Sequence, residues 1–234
     1  MNKKAIAVIC LFTATAIGCT STPTFQTGED AEVTFDGLTR MEGTIMDAVW
    51  ARTDIDLTGY RKVMFEGVGV EYREVSGPYS GREGTSTSRR SSQSEFQLHP
   101  NTRALFEEEI RGAFAEEVSA SEVFEVVEEE GPDVLLVRGG LLDVVSRVPP
   151  ETVGRSRIFI DSVGEATLIL EIRSSVSHSI YVRAVDRRAA QSQGQMRESS
   201  TVTNRAEVRR LGRRWGRMLR EGLDALLTDG LKQQ

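Results

Sequence analysis

The chain has 234 residues, with 29 Lys and Arg against 35 Asp and Glu and a formal charge of −6. That acidity excludes a general nucleic-acid binder, whose affinity comes from neutralising phosphates. Two cysteines exclude a disulfide framework, while a 39% hydrophobic content is enough for one domain with a sizeable core.

Residues 1–18 read MNKKAIAVICLFTATAIG. Lys3 and Lys4 form a positive start, and Ala5 to Ile17 form an apolar run too short to span a bilayer as a helix. The run ends in Ala16-Ile17-Gly18-Cys19, which resembles the bacterial lipobox. Residues 1–18 are thus expected to be a lipoprotein signal peptide. Cys19 is the expected site of lipid attachment, with diacylglycerol on its sulfur and a further acyl chain, palmitate or similar, on its amino group. Each buried CH₂ of such chains contributes about 0.8 kcal/mol, so two or three chains hold where one would not. Cys10 leaves with the signal, so the mature chain has no second cysteine for a disulfide or a cysteine metal cluster. Without Lys3 and Lys4 the mature chain carries 27 basic and 35 acidic residues, a formal charge of −8. Thr20 after the cysteine resembles the signal for an outer-membrane address facing the periplasm.

Residues 19–32 are polar, with Pro23 and Gly28, and read as a flexible tether spanning roughly 20 Å. Residues 33–234 read as a single domain. KVMFEGVGVEYRE (62–74) is apolar on both faces, as a central strand would be, with Gly67 and Gly69 marking a bulge or close packing. The Ser-, Gly- and Arg-rich stretch over 76–98 reads as a long exposed loop. HPNTRALFEEEIRGAFAEEVSAS (99–121) carries Leu105, Phe106, Ile110, Ala113, Phe114 and Val118 at helical spacing. FEVVEE (124–129) reads as a short strand. GEATLILEIRSS (164–175) alternates, with Ala166, Leu168, Leu170 and Ile172 on one face and Thr167, Glu171 and Arg173 on the other. HSIYVRAVDRR (178–188) repeats that pattern, and the short turn between them predicts an antiparallel pair. The last helix is predicted over 204–228, opened by a capping box from Asn204 to Glu207 and marked by Val208, Leu211, Trp215, Met218, Leu219, Leu223 and Leu226. The order implies an α+β fold: a single mixed sheet of about five to six strands with two long helices packed on one face.

With these elements placed, DIDLTGYRKVMFEGVGV (54–70) resembles the opening strand of an uncharacterised bacterial lipoprotein family, domain of unknown function 3313. VGEATLILEI (163–172), VDRRAA (185–190) and the Trp215 helix are similar to later segments of that family in the same order. The resemblance implies a lipid-anchored envelope domain with no established activity.

The chemistry-bearing residues are few. His99 and His178 are isolated and read as ordinary surface side chains; no nucleophile elbow, P-loop or zinc-protease motif occurs. No catalytic, cofactor or metal site is expected. The sharpest charge feature is the arginine-rich last helix, including Arg213, Arg214 and Arg217. It reads either as a solvated face whose arginines pair with glutamates, or as a contact for an envelope protein or an anionic glycolipid. Asp186, Arg187 and Arg188 read as an ion pair finishing a sheet edge or as a small anion-recognition patch. The leading expectation is a non-enzymatic, lipid-anchored periplasmic binding or assembly module with the membrane as its covalently attached partner. An envelope hydrolase using paired carboxylates or a serine, and a structural envelope-stabilising protein, are the alternatives.

Overall fold

The structure, a computed structural model, describes residues 23–75, 95–98, 100–149, 159–191 and 196–230. Cys19, His99 and most of the loop expected over 76–98 lie outside the described residues. The elements in chain order are β1 (Thr24–Phe25), β2 (Thr39–Glu42), β3 (Ala48–Ala51), β4 (Lys62–Tyr72), α1 (Pro100–Val118), β5 (Glu125–Val126), β6 (Val134–Ser146), β7 (Phe159–Ile160), β8 (Ser162–Ser174), β9 (Ile180–Gln191), β10 (Arg197–Glu198) and α2 (Thr201–Asp229).

The alternation read from 164–188 becomes the middle of the sheet. β8 and β9 pair antiparallel from Ser162↔Gln191 to Arg173↔Ile180, and β6 lies against the other side of β8. The strand–helix–strand unit makes β4 and β6 parallel, because a helix crossover returns the chain in the same direction. The sheet is therefore mixed, in the order β1-β2-β3-β9-β8-β6-β4-β5, and β7 and β10 form a separate ribbon. Eight strands replace the five to six expected. Those added are β1, β2 and β3, strands of two to four residues, too brief to show a period in sequence. All three come from residues 24–51, so part of the stretch expected to be a tether enters the sheet: Phe25 pairs with Met41, and Gln26 N–H donates to the Arg40 carbonyl at 2.9 Å.

β4 is not central. It is flanked by β6 on one side, while β5 covers only Lys62 and Val63 on the other. Its apolar run is explained by parallel pairing near its start, where Val63 is buried; Glu66 to Gly69 are exposed. The bulge read at its glycines is present, with a register shift between Gly67 and Gly69 and Gly69 at φ +107°.

α1 and α2 run parallel to each other on one face of the sheet, and their apolar sides join β4, β6, β8 and β9 in one core around Trp215. Leu105 leaves the expected α1 stripe and is exposed, whereas Glu109 is buried there. The α2 cap is Ser200, not Asn204. Its hydroxyl accepts from Thr203 N–H at 3.2 Å, and Thr203 accepts from Ser200 N–H at 2.9 Å. Glu207, expected to close the box, instead turns inward and pairs with Arg210 and Arg197. The helices meet backbone to backbone at Gly212 and Gly216. A Cβ there would lie 2.8 Å from the Ile110 carbonyl oxygen and 2.7 Å from that of Phe114. No helix of the described residues is long and apolar enough to cross a membrane.

Candidate functional site

The residues singled out in VDRR divide between the two faces of β9, because successive strand residues point opposite ways. Asp186 and Arg188 face the helices. Asp186 is fully buried, and its carboxylate accepts from Trp215 Nε1 at 2.7 Å, Arg188 Nη2 at 2.9 Å and Asp47 N–H at 3.3 Å. Arg188 also donates to the Ile45 carbonyl at 3.1 Å. β9 lies between β3 and β8, so this ion pair is not at a sheet edge. It clamps α2, β9 and the β2–β3 loop together.

Arg187 points to the opposite face, on which no helix of the described residues packs. There the register aligns Arg40, Trp50, Arg183, Glu171, Arg138 and Glu66 in one row across six strands. Arg40 stacks on the Trp50 ring at 4.6 Å. Arg183 bridges Glu171 at 3.0 Å and Asp36 at 2.8 Å, and Arg138 reaches Glu66 at 2.8 Å. The next row on the same face is uncharged: Ala48, Val185, Ile169, Gly140 and Gly69. A Cβ on Gly140 would collide with the Val68 side chain at 2.5 Å, so glycine there lets the bulge fold over the row.

Beyond it, toward the start of β8 and the end of β9, lies a second ionic cluster. Arg73 Nε donates to Asp143 at 2.6 Å, and its Nη1 reaches Glu95 at 2.6 Å. Arg187 bridges Asp143 at 3.2 Å and Glu165 at 2.7 Å, and Arg147 lies 3.4 Å from Glu165. Asp143 is held at φ +57°, a conformation that aspartate tolerates better than most residues.

The α2 arginines form a ladder to α1 rather than a free cationic face. Arg205 and Arg209 both bind Glu109, with Arg205 Nε at 2.8 Å and Arg209 Nη2 at 2.8 Å. Arg213 pairs with Glu116 at 3.0 Å and Arg217 with Glu117 at 3.2 Å. Arg214 is exposed and meets no acid among the described residues. The expected site residues are thus spread over three places: an internal clamp, the uncovered sheet face and the outside of the helix layer. The cross-sheet row escaped the sequence reading, since it depends on register between strands far apart in sequence, such as those of Arg40 and Arg183, 143 residues apart. Its only local signal is the charged half of the alternation in β8 and β9.

Titration follows these contacts. The Thr34 hydroxyl and then Arg183 hold Asp36 below the usual carboxylate range, and the Arg73 guanidinium does the same for Asp143. Burial would raise Glu165 and Glu171, but hydrogen bonds from Arg187, and from Arg173 and Arg183, more than offset it and leave both lowered. Arg205 and Arg209 lower Glu109. Such carboxylates are poor proton donors at neutral pH, unlike the raised acid of a glycosidase pair. Burial and the hydroxyl of Tyr181 at 2.9 Å push Tyr60 up to about 12. The cleft between the β7–β10 ribbon and α2 holds about 10 Å³, room for no more than a water molecule. A wider groove of about 470 Å³ beside β1, lined by Phe25, Thr27, Ala31, Val33 and Thr53 among others, has no titratable side chain in its wall among the described residues. Among the described residues no three His, Cys, Asp or Glu side chains gather as a metal site.

Solved structures similar to this chain include the following two. The PelC dodecamer from Paraburkholderia phytofirmans matches at 9% identity, covering 73% of this chain and 96% of that one, with a TM-score of 0.33. The crystal structure of a putative neuraminyllactose-binding hemagglutinin homolog from Helicobacter pylori matches at 10% identity, covering 73% and 87%, with a TM-score of 0.32. Among curated proteins nothing matches the sequence. The model of one family, described as "Protein of unknown function (DUF3313)", matches residues 31–219.

Proposed function

The chain belongs to the DUF3313 family, and from that premise we propose that it is a lipid-anchored, non-enzymatic envelope module that binds an assembly partner through the uncovered face of its sheet. The observation that carries this reading is the charged row from Arg40 to Glu66, whose arginines and carboxylates are fixed by register and by one another. Prearranged, charge-balanced side chains suit recognition of a polar protein surface, because little side-chain entropy is lost on contact and complementary charges set the register. The lipobox at Cys19 supports the anchor, and Thr20 supports the outer membrane facing the periplasm. The helix arginines are a lesser contact candidate. Reversing Arg213 or Arg217 would oppose glutamates on α1, so Arg214 is the position at which a partner or an anionic glycolipid can be tested without disturbing the helix pair.

Two measurements test the reading. A photo-crosslinking residue at Ile169, in the middle of the uncovered face, is expected to capture a discrete envelope protein in intact cells, whereas one at exposed Glu108 on α1 is not. Equal, diffuse labelling from both positions would count against the face. The variant Cys19→Ser is expected to shift the chain from the membrane to the soluble fraction, with loss of the acylated amino-terminal peptide by mass spectrometry. Membrane retention without acylation would remove the anchor.

A further inference from the structure

Resting on the reading of the uncovered sheet face as a binding surface, we propose that its partner is a second copy of this chain, docked face to face about a twofold axis parallel to the strands. The charged row carries this. Across β2, β3, β9, β8, β6 and β4 it runs Arg40, Trp50, Arg183, Glu171, Arg138, Glu66. A twofold along the strands turns one sheet over onto the other and reverses the row, with the axis passing between β9 and β8. Arg40 then faces Glu66 of the second copy, Arg183 faces Glu171, and Arg138 faces Trp50. Each contact is made twice, as an isologous interface requires. The Trp50 ring is held in place by Arg40, stacked on it at 4.6 Å, and by Glu32, which accepts from its Nε1 at 3.0 Å. A guanidinium over a tryptophan ring is an attractive contact. Other overlays fail on charge. A twofold across the strands sets Arg183 on Arg183 and Glu171 on Glu171. A reversed overlay shifted by one strand sets Arg183 on Arg138 and Glu171 on Glu171, or Arg183 on itself. Like charges facing each other exclude such pairings.

The uncharged row fits the same overlay. Val185 faces Ile169 of the second copy, and Ala48 faces Gly140. Val68 is folded over Gly140 and is 57% exposed, so it comes down on the small Ala48 across the interface and leaves water. Both halves of the charged row are neutral once the groups bound to them are included. Arg40 and Arg183 stand with Glu32 and Asp36 on one side, and Arg138 and Arg173 with Glu66 and Glu171 on the other. Two copies therefore meet without net repulsion. Six strands about 4.8 Å apart, over the nine residues from Glu165 to Arg173, offer roughly 800 Å². That is what each partner contributes to a stable interface. Sheets with aligned strands stack in this way, about 10 Å apart, with the side chains of the two inner faces interdigitating.

The test uses the full chain in intact cells, with the photo-crosslinking residue at Ile169. A product of twice the chain mass is expected, its crosslinked peptide containing Val185 of the second copy. Arg40→Glu and Glu66→Arg are each expected to lower its yield severalfold, and the double variant to restore it. Residues 40 and 66 lie five strand spacings apart in one sheet, roughly 24 Å, so they compensate each other across the interface and not within a chain. A doubled product that the double variant fails to restore, or that maps away from β9, overturns this pairing. Crosslinks to a different envelope protein, with none to a second copy, overturn the self-pairing and leave the face as a binding surface. Crosslinks confined to single chains, to residues 76–94 for instance, or labelling no stronger than at Glu108, overturn both.

Discussion

Asp186 is the residue on which the two layers depend. It lies under α2, its carboxylate accepts hydrogen bonds from Trp215 and Arg188, and it has no access to water. Replacing it with Ala leaves Arg188 facing a buried gap and Trp215 Nε1 without its acceptor. Breaking such a pair costs about 3 kcal/mol, the low end of the usual range because Arg188 is itself partly exposed. Asp186→Ala is expected to lower the unfolding free energy by that amount, read as a lower urea midpoint with an unchanged slope. A loss below about 1 kcal/mol would mean the clamp contributes no more than an ordinary hydrogen bond. The neighbouring Arg187 shows how one step along a strand changes what a residue does. Its side chain stays out of the clamp and joins Glu165 and Asp143 on the other face.

At the scale of elements, the two helices are set by glycine and by charge together. Gly212 and Gly216 let α2 approach α1 to backbone contact, and the Arg–Glu pairs to Glu109, Glu116 and Glu117 lie along the same seam. Gly216→Ala adds a Cβ 2.7 Å from the Phe114 carbonyl oxygen and 2.9 Å from Glu117 Cβ. Overpacking of that kind costs about 1–3 kcal/mol, which outweighs a gain in helix propensity of about 1 kcal/mol. Gly222 is on the same helix with nothing within 4 Å of its would-be Cβ. Gly222→Ala is expected to stabilise by about 1 kcal/mol. The two thermal midpoints should therefore move in opposite directions; two gains would show that the seam relaxes freely.

For the molecule as a whole, the ionic rows set the response to acid. Asp36, Asp143, Glu165 and Glu171 all have lowered pKa values in the fold. A carboxylate depressed by folding contributes stability that is complete above its unfolded value and is lost as pH falls through the folded one. Thermal stability is therefore expected to hold from neutral pH to about 4.5 and to fall steadily below about pH 4. Asp143→Asn, which keeps the left-handed backbone but removes the charge, is expected to lower stability at pH 7 and to flatten the fall below pH 4. A variant as steep as the parent would place the acid response elsewhere.

Much of this architecture follows from local pattern. The period-two alternation of 164–188 dictates two paired strands because a twofold side-chain repeat can bury only one face of a sheet. The stripe through Trp215 dictates a helix on that face, and the family match over residues 31–219 spans these segments. Tertiary structure alone decided where the charges went. Whether Arg213 meets solvent or Glu116, whether Arg40 and Glu66 share a row, and which way Arg187 and Arg188 divide depend on helix direction and strand register. Those are fixed by contacts between residues far apart in sequence, and a one-residue slip would exchange the two faces. Composition could say that the chain is acidic; only packing could say that its arginines are largely matched to carboxylates.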